Sequence, residues 1–126
     1  VTMFVDSSLG IALSGKQGFK KVNTIFIGAD ALLKDGIINK VGSGLVAHIS
    51  SKEKIPFYIV ADSWKFTKKK ISIEQRNLNE VWDKAPRSIK IKNPAFEFVH
   101  KKYISGIITE LGVIRYDKFV KKMNKH

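Results

Sequence analysis

Three short apolar runs, separated by segments with helical spacing, constrain the fold of this chain most. The runs occupy residues 22–27 (VNTIFI), 57–61 (FYIVA) and 106–109 (GIIT). Apolar runs of this length are typical of strands in a parallel sheet that is covered on both faces. The intervening and terminal segments 9–13, 43–54 and 116–123 have the spacing of helices. The alternation predicts an α/β fold with right-handed crossover connections.

The chain begins with a further strand-like run, residues 1–5 (VTMFV). Its β-branched and aromatic side chains favour a strand from the first residue. Because a native terminus rarely begins inside a core strand, we interpret the chain as a fragment of a longer protein. Residues 1–126 are then expected to form one domain with one core.

The other segments carry weaker signals. Residues 34–36 (KDG) indicate a turn, and Ser43 is the expected N-cap of the helix that follows it. Residues 62–92 are expected to form a long, partly irregular connection, and residues 100–105 a short helix. Hairpin dipeptides were not identified, which supports a parallel arrangement of the strands.

Composition limits the classes of function. The chain has no cysteine, and His48, His100 and His126 show no ligand spacing. We therefore expect neither a metal site nor a cofactor. No apolar run approaches the roughly 20 residues that span a bilayer, so we expect a cytoplasmic protein without membrane contact.

Lysine dominates the charge. The formal net charge is +12, but the lysines are scattered along the chain and lack interleaved aromatic residues. An excess of positive charge favours phosphates, nucleic acid or acidic protein surfaces. Without an RNA-stacking motif, binding to nucleic acid is expected to be nonspecific at most.

Polar residues lie at or just after the ends of the expected strands. In open α/β sheets the carboxyl edge of the strands is where ligands bind. We therefore expect a ligand crevice at this edge, lined by Asp6, Asp30, Asp62, Thr109 and Glu110.

Gly28-Ala29-Asp30 is the sharpest local feature. Glycine permits a tight turn after the strand, and the carboxylate would then face the crevice. If Asp30 is buried there, desolvation would raise its pKa, and it could act as a general acid or base. A structural alternative is that Asp30 caps the next segment or pairs with a lysine.

Asn39-Lys40, followed by Gly42-Ser43-Gly44 at a helix start, has the character of an anion-binding turn. Free backbone N–H groups and the helix dipole attract phosphate, and Lys40 adds a full charge. A single Gly-x-Gly is also compatible with a helix start that binds nothing.

Longer stretches resemble the translation initiation factor 2B alpha/beta/delta-subunit family, whose C-terminal domain is Rossmann-like. The resemblance covers most of the chain in the family's order: residues 24–44, 55–66 and 93–114, with looser similarity at 1–13 and 74–76. It implies a Rossmann-like, three-layer α/β domain with a mainly parallel sheet. It also implies that the chain is a C-terminal fragment that lacks the family's helical domain and the first part of its sheet.

The same domain occurs in ribose-1,5-bisphosphate isomerase and methylthioribose-1-phosphate isomerase. By resemblance, Asp30 matches their catalytic aspartate, which works with a cysteine upstream of the matched region. Asn39 and Lys40 match residues near the phosphosugar, with Gly42 and Ser43 beside them. The sequence departs from the family pattern at Ser43, where threonine is usual, and at Gly44, where a longer side chain is usual.

Three functions follow as hypotheses. The first is a regulatory subunit that contacts initiation factor 2 or sister subunits, oligomerises through this domain and keeps a crevice for a phosphorylated sugar or nucleotide. The second is part of an aldose–ketose isomerase of sugar phosphates, with Asp30 as acid/base. The third is a basic module that binds nucleic acid through its charge.

Overall fold

The computed structural model describes residues 1–73 and 75–125. Glu74, in the stretch 74–76 that resembles the family, and His126 lie outside the described residues. Within them, the first sheet has the strand order β1-β4-β6-β7 and the second has the order β2-β3-β5. The strands are β1 (Ile25–Ile27), β2 (Ala31–Leu33), β3 (Gly36–Lys40), β4 (Phe57–Val60), β5 (Phe96–His100), β6 (Gly106–Thr109) and β7 (Gly112–Ile114).

The first sheet confirms the mainly parallel arrangement. Strand β4 pairs in parallel with β1 through Ile25↔Phe57 and with β6 through Ile59↔Ile107. Only β7 runs antiparallel, and it returns from β6 through the tight turn at Glu110 and Leu111. The three parallel strands lie within the three apolar runs of the sequence. Strand β6 has the full length of its run, β4 is one residue shorter, and β1 is three residues shorter.

One face of this sheet forms the core. Phe57, Ile59 and Ile107 are fully buried and pack with Phe119 and the neighbouring apolar residues. The prediction that both faces are covered is wrong for the described residues, since Phe26 is 59% exposed and Val60 is 45% exposed. Along β1 and β4, the side chains therefore alternate between the core and a more exposed face.

The second sheet was not expected. Residues 34–36 form the turn that was predicted, but the turn closes an antiparallel hairpin between β2 and β3. Strand β5 then pairs with β3 from Gly36↔His100 to Lys40↔Phe96. Leu33 pairs with Gly36, so the loop of the hairpin is Lys34-Asp35, which is not one of the usual hairpin dipeptides. Strand β5 follows the segment 62–92 that was expected to be irregular and ends where the short helix 100–105 was expected to begin.

Among the described residues, helices form at the segments 9–13, 43–54 and 116–123 that have helical spacing, and a further short helix lies within residues 62–92, which were expected to be irregular. They are α1 (Leu9–Ser14), α2 (Ser43–Lys52), α3 (Asn79–Trp82) and α4 (Tyr116–Asn124), and short 3₁₀ turns occupy Asp6–Ser8, Ser63–Lys65 and Lys101–Tyr103. The buried hydroxyl of Tyr116 donates to the carbonyl oxygens of Leu33 and Gly36, at 2.8 and 2.6 Å. Helix α4 is thereby fixed to the β2–β3 hairpin.

The strand predicted at residues 1–5 is wrong. These residues are exposed, and the structure pairs them with no strand among the residues that it describes. A β-branched run forms a strand only when a neighbouring strand accepts its hydrogen bonds. The segment instead contacts the rest of the chain locally, through the edge-to-face pair of Phe4 and Phe19.

Candidate functional site

The β2–β3 hairpin brings Asp30 next to Asn39. Ala31 pairs with Ile38, and the Asp30 amide donates to the Ile38 carbonyl oxygen at 2.9 Å. Asp30 and Asn39 therefore lie one step beyond the last pair of the ladder. Asp30 itself lies outside the ladder, and its backbone is held beside the end of β3, next to Asn39.

Asp30 is exposed. The described residues therefore do not provide the burial on which the acid/base argument from the sequence depends. Any catalytic role of Asp30 must rest on its contact with a ligand instead of on desolvation by the described residues. The carboxylate also lines a cavity of about 230 Å³ with Ile38, Ser72 and Phe96.

Asn39, Lys40 and Ser43 form one hydrogen-bonded turn. The Asn39 side-chain amide donates to the Ser43 hydroxyl at 2.9 Å, and this hydroxyl donates to the Lys40 carbonyl oxygen at 2.7 Å. Ser43 is buried, while the side chain of Lys40 extends to the surface. The turn orients Asn39 and leaves the ammonium group of Lys40 accessible to an anion.

Ser43 is not the N-cap of α2. The N-cap is Gly42, whose φ of 107° favours glycine, and Ser43 is the first helical residue. The Gly42 amide donates to the Glu97 carboxylate at 2.6 Å. The positive end of the helix dipole therefore already has a carboxylate beside it in this structure.

Lys40 lines a cavity of about 440 Å³ together with Gly42, Ser43, Leu9 and Asp6. The 3₁₀ turn at Asp6–Ser8 carries Asp6 to this place. Among the described residues, Lys40 and Asp30 line different cavities. Four of the expected site residues thus share the β3–α2 turn, and Asp30 lies on the adjoining hairpin.

Three of the five residues expected to line a ligand crevice lie together at the carboxyl edge of the first sheet. Asp62, Thr109 and Glu110 line one cavity of about 530 Å³ with Lys65. Glu110 accepts hydrogen bonds from the hydroxyl and from the amide of Ser63. These bonds, that of the hydroxyl first, lower the pKa of Glu110 below its usual range.

Lys65 was not anticipated. Its ammonium group donates to the Ala29 carbonyl oxygen at 2.9 Å and so reaches the turn that carries Asp30. The two residues are separated by 36 positions, and the sequence contains no local signal for this contact. Glu97 was missed for the same reason, because its partner Gly42 lies 55 positions away.

The part of the chain that the structure describes holds no group of three or more potential metal ligands. Within the same residues, no helix has the length and apolar character needed to cross a membrane.

A family comparison matches residues 1–116 to the Initiation factor 2 subunit family. The chain belongs to this family. The match includes both sheets and the two turns that carry Asp30 and Lys40, and it confirms the resemblance seen in the sequence.

Relatives within the Initiation factor 2 subunit family have different names. The ribose 1,5-bisphosphate isomerase of Methanocaldococcus jannaschii is 36% identical over 90% of this chain and 38% of its own length. The crystal structure of translation initiation factor eIF-2B, subunit delta, from A. fulgidus is 29% identical, with a TM-score of 0.78 over 95% of this chain and 38% of its own.

A third relative is the 5-methylthioribose 1-phosphate isomerase of Pyrococcus horikoshii OT3. Its structure is 28% identical, with a TM-score of 0.78 over 95% of this chain and 36% of its own. The chain therefore spans a little more than a third of the length of these family members.

Proposed function

We propose that this chain is the sugar-phosphate-binding domain of an aldose–ketose isomerase that acts on a phosphorylated ribose. The observation that carries the proposal is the juxtaposition of Asp30 and Asn39 across the end of the hairpin, with Lys40 next in the chain. A carboxylate, an amide and an ammonium group on adjoining positions suit a ligand that has hydroxyls and a phosphate. The isomerases among the relatives support this choice over a regulatory subunit.

The chemistry assigns a proton transfer to Asp30. When a ribose 1-phosphate becomes a ketose, the C2 hydroxyl loses its proton, hydrogen moves from C2 to C1, and the opened ring oxygen gains a proton. Asp30 would accept the hydroxyl proton and return it to the ring oxygen, as a positioned general base and acid does. Moving the carbon-bound hydrogen requires a second group, for which the family resemblance implies an upstream cysteine.

The remaining residues would hold the ligand. Lys40 would pair with a phosphate, because its ammonium group is exposed beside the cavity that it shares with Gly42 and Ser43. Asn39, oriented by Ser43, would hydrogen-bond a sugar hydroxyl. A phosphate that reaches the Gly42 amide would have to displace the Glu97 carboxylate, so Lys40 is the better anion partner.

The test is an isomerase assay on the polypeptide in its full natural length, with ribose 1,5-bisphosphate and with methylthioribose 1-phosphate. We expect ketose formation that Asp30→Asn reduces by about 10²- to 10⁴-fold. Asp35→Asn, on the turn of the same hairpin, is the matched control and should retain activity. Absence of turnover on both substrates by the unmodified protein would refute the proposal.

A regulatory subunit is the second candidate, supported by the match to the delta subunit of eIF-2B. It would bind initiation factor 2 or sister subunits and use the same surface to sense a phosphorylated ligand. Titration calorimetry with initiation factor 2 distinguishes the two. Saturable binding without isomerase turnover would favour the regulatory subunit, whereas turnover without binding would exclude it.

A further inference from the structure

The turn from β1 to β2 is held by a side chain from a distant segment. The Lys65 ammonium group donates at 2.9 Å to the carbonyl oxygen of Ala29, which is buried and directly precedes Asp30. A buried carbonyl group without a hydrogen bond costs free energy, and this bond satisfies it. The lysine thus contacts the backbone of the Asp30 turn.

Lys65 is itself firmly placed. Phe66 forms a bridge with Leu32, and the Thr67 amide donates to the Leu32 carbonyl oxygen at 2.9 Å. On the other side of Lys65, the Ser63 amide donates to Glu110 at 2.9 Å. The segment that carries the lysine is therefore fixed at both ends, and its ammonium group is directed to one place.

Asp30 is then restrained from two directions. Its own amide is bonded to Ile38 on β3, and the carbonyl group before it is bonded to Lys65. Because the carboxylate is exposed, its position follows that of the turn backbone, which these two contacts hold. A displacement of about 1 Å at a reacting group can lower a rate by roughly 10²-fold.

We infer that Lys65 is a positioning residue that fixes the Asp30 turn for proton transfer. The inference rests on the proposed function. A direct role in binding a phosphate is less well supported, because the cavity that Lys65 lines also contains Asp62 and Glu110. Two carboxylates beside the ammonium group would repel a phosphate.

Three variants of the full-length protein test the inference. Lys65→Met removes the bond to Ala29 and keeps the apolar stem, Lys65→Arg retains a donor, and Lys68→Met is a matched control on the exposed part of the same segment. We expect Lys65→Met to lower kcat by about 10- to 100-fold with KM changed less than about threefold. Lys65→Arg should recover most of the loss, and Lys68→Met should match the unmodified protein.

Hydrogen exchange at the Asp30 amide provides a readout that does not require turnover. In Lys65→Met, the Asp30 amide proton should exchange at least about tenfold faster than in the unmodified protein. The amide proton of Ile59 in the core should exchange at an unchanged rate. An unchanged rate at Asp30 would overturn the inference even if the protein proves to have no isomerase activity. A rise in KM with normal kcat would also overturn it, since Lys65 would then bind the substrate directly.

Discussion

The Gly42 amide donates a 2.6 Å hydrogen bond to the carboxylate of Glu97, which lies on the neighbouring strand β5. Glu97 pairs with Asn39 in the β3–β5 ladder, so the strand register carries the carboxylate to the start of α2. Its second oxygen lies over Gly44, where a Cβ atom would overlap it. This contact explains why a residue without a side chain suits position 44.

The contact predicts an interaction between positions 44 and 97. Glu97→Ala removes a hydrogen bond to the helix start and should cost about 1 kcal/mol. Gly44→Ala forces the carboxylate away, which offsets the gain of roughly 0.5–1 kcal/mol from alanine in a helix. In the Glu97→Ala background, however, Gly44→Ala should stabilise by that full amount.

Urea denaturation of the four proteins in this cycle measures the coupling, which should be about 1 kcal/mol. Gly10→Ala is the control, because nothing lies within 4 Å of an added Cβ there. Additive effects of the two substitutions would show that Glu97 does not occupy the space over Gly44 in solution.

The parallel half of the fold could be predicted from the sequence. The runs at 22–27, 57–61 and 106–109 are apolar and short, and local composition alone marks them as strands. The second sheet depends on pairing between β3 and β5, about 60 residues apart, which no local pattern encodes. Its strand β2 has three residues, too few for a periodic signal.

The candidate site also consists of residues that could be predicted from the sequence and residues that could not. Asn39, Lys40, Gly42 and Ser43 are neighbours in sequence, so their proximity could be predicted from a strand that ends at a helix start. Lys65 and Glu97 reach the site by tertiary contacts of side chains with the backbone. The exposure of Asp30 could not be predicted, because it depends on how distant segments pack around the turn from β1 to β2.

Gly36 should tolerate no side chain. A Cβ atom there would overlap the Val99 backbone oxygen and lie 2.9 Å from the ring of Phe98. Since backbone cannot move aside as a side chain can, Gly36→Ala should destabilise the protein by about 2–3 kcal/mol. Thermal unfolding monitored by circular dichroism tests this value. Destabilisation no larger than that of Gly10→Ala would contradict the close β3–β5 approach at Gly36.

Tyr116→Phe should cost about 1–2 kcal/mol, because the carbonyl groups of Leu33 and Gly36 lose their shared donor. Burial raises the pKa of Tyr116 above its ordinary value of 10. A group whose pKa is raised on folding contributes stability below its ordinary pKa, here 10. This contribution is lost as the pH rises further. The stability difference between the unmodified protein and Tyr116→Phe should therefore shrink above pH 10 in chemical denaturation. A constant difference would exclude an ionisation-linked role of this hydroxyl.

Glu80 should make stability depend on pH in the acidic range. Its hydrogen bonds with Arg76 lower the pKa of Glu80 from 4.5 to about 2, with smaller contributions from Asn93 and from the charge of Lys40. A carboxylate whose pKa is lowered on folding contributes stability above its ordinary pKa of 4.5, and this contribution is lost as the pH falls toward 2. Glu80→Gln should thus be less stable than the unmodified protein at pH 6 but similar to it near pH 2. Because the pair is exposed, 1 M salt should reduce the difference at pH 6, and a difference that is insensitive to salt would contradict an ionic origin.

Lys40 should contribute to binding of a sugar phosphate more than to its conversion. Its ammonium group is exposed beside Gly42 and Ser43, and a charge-assisted hydrogen bond to phosphate contributes roughly 1.5 kcal/mol, or about tenfold in affinity. Lys40→Met should therefore raise KM for ribose 1,5-bisphosphate about tenfold and leave kcat within about threefold.

Lys34→Met, at the opposite end of the hairpin, is the matched control and should leave both parameters unchanged. Added salt should raise KM of the unmodified protein more than that of Lys40→Met, because screening weakens a charge that the variant lacks. A loss of kcat at constant KM would instead place Lys40 in the chemical step.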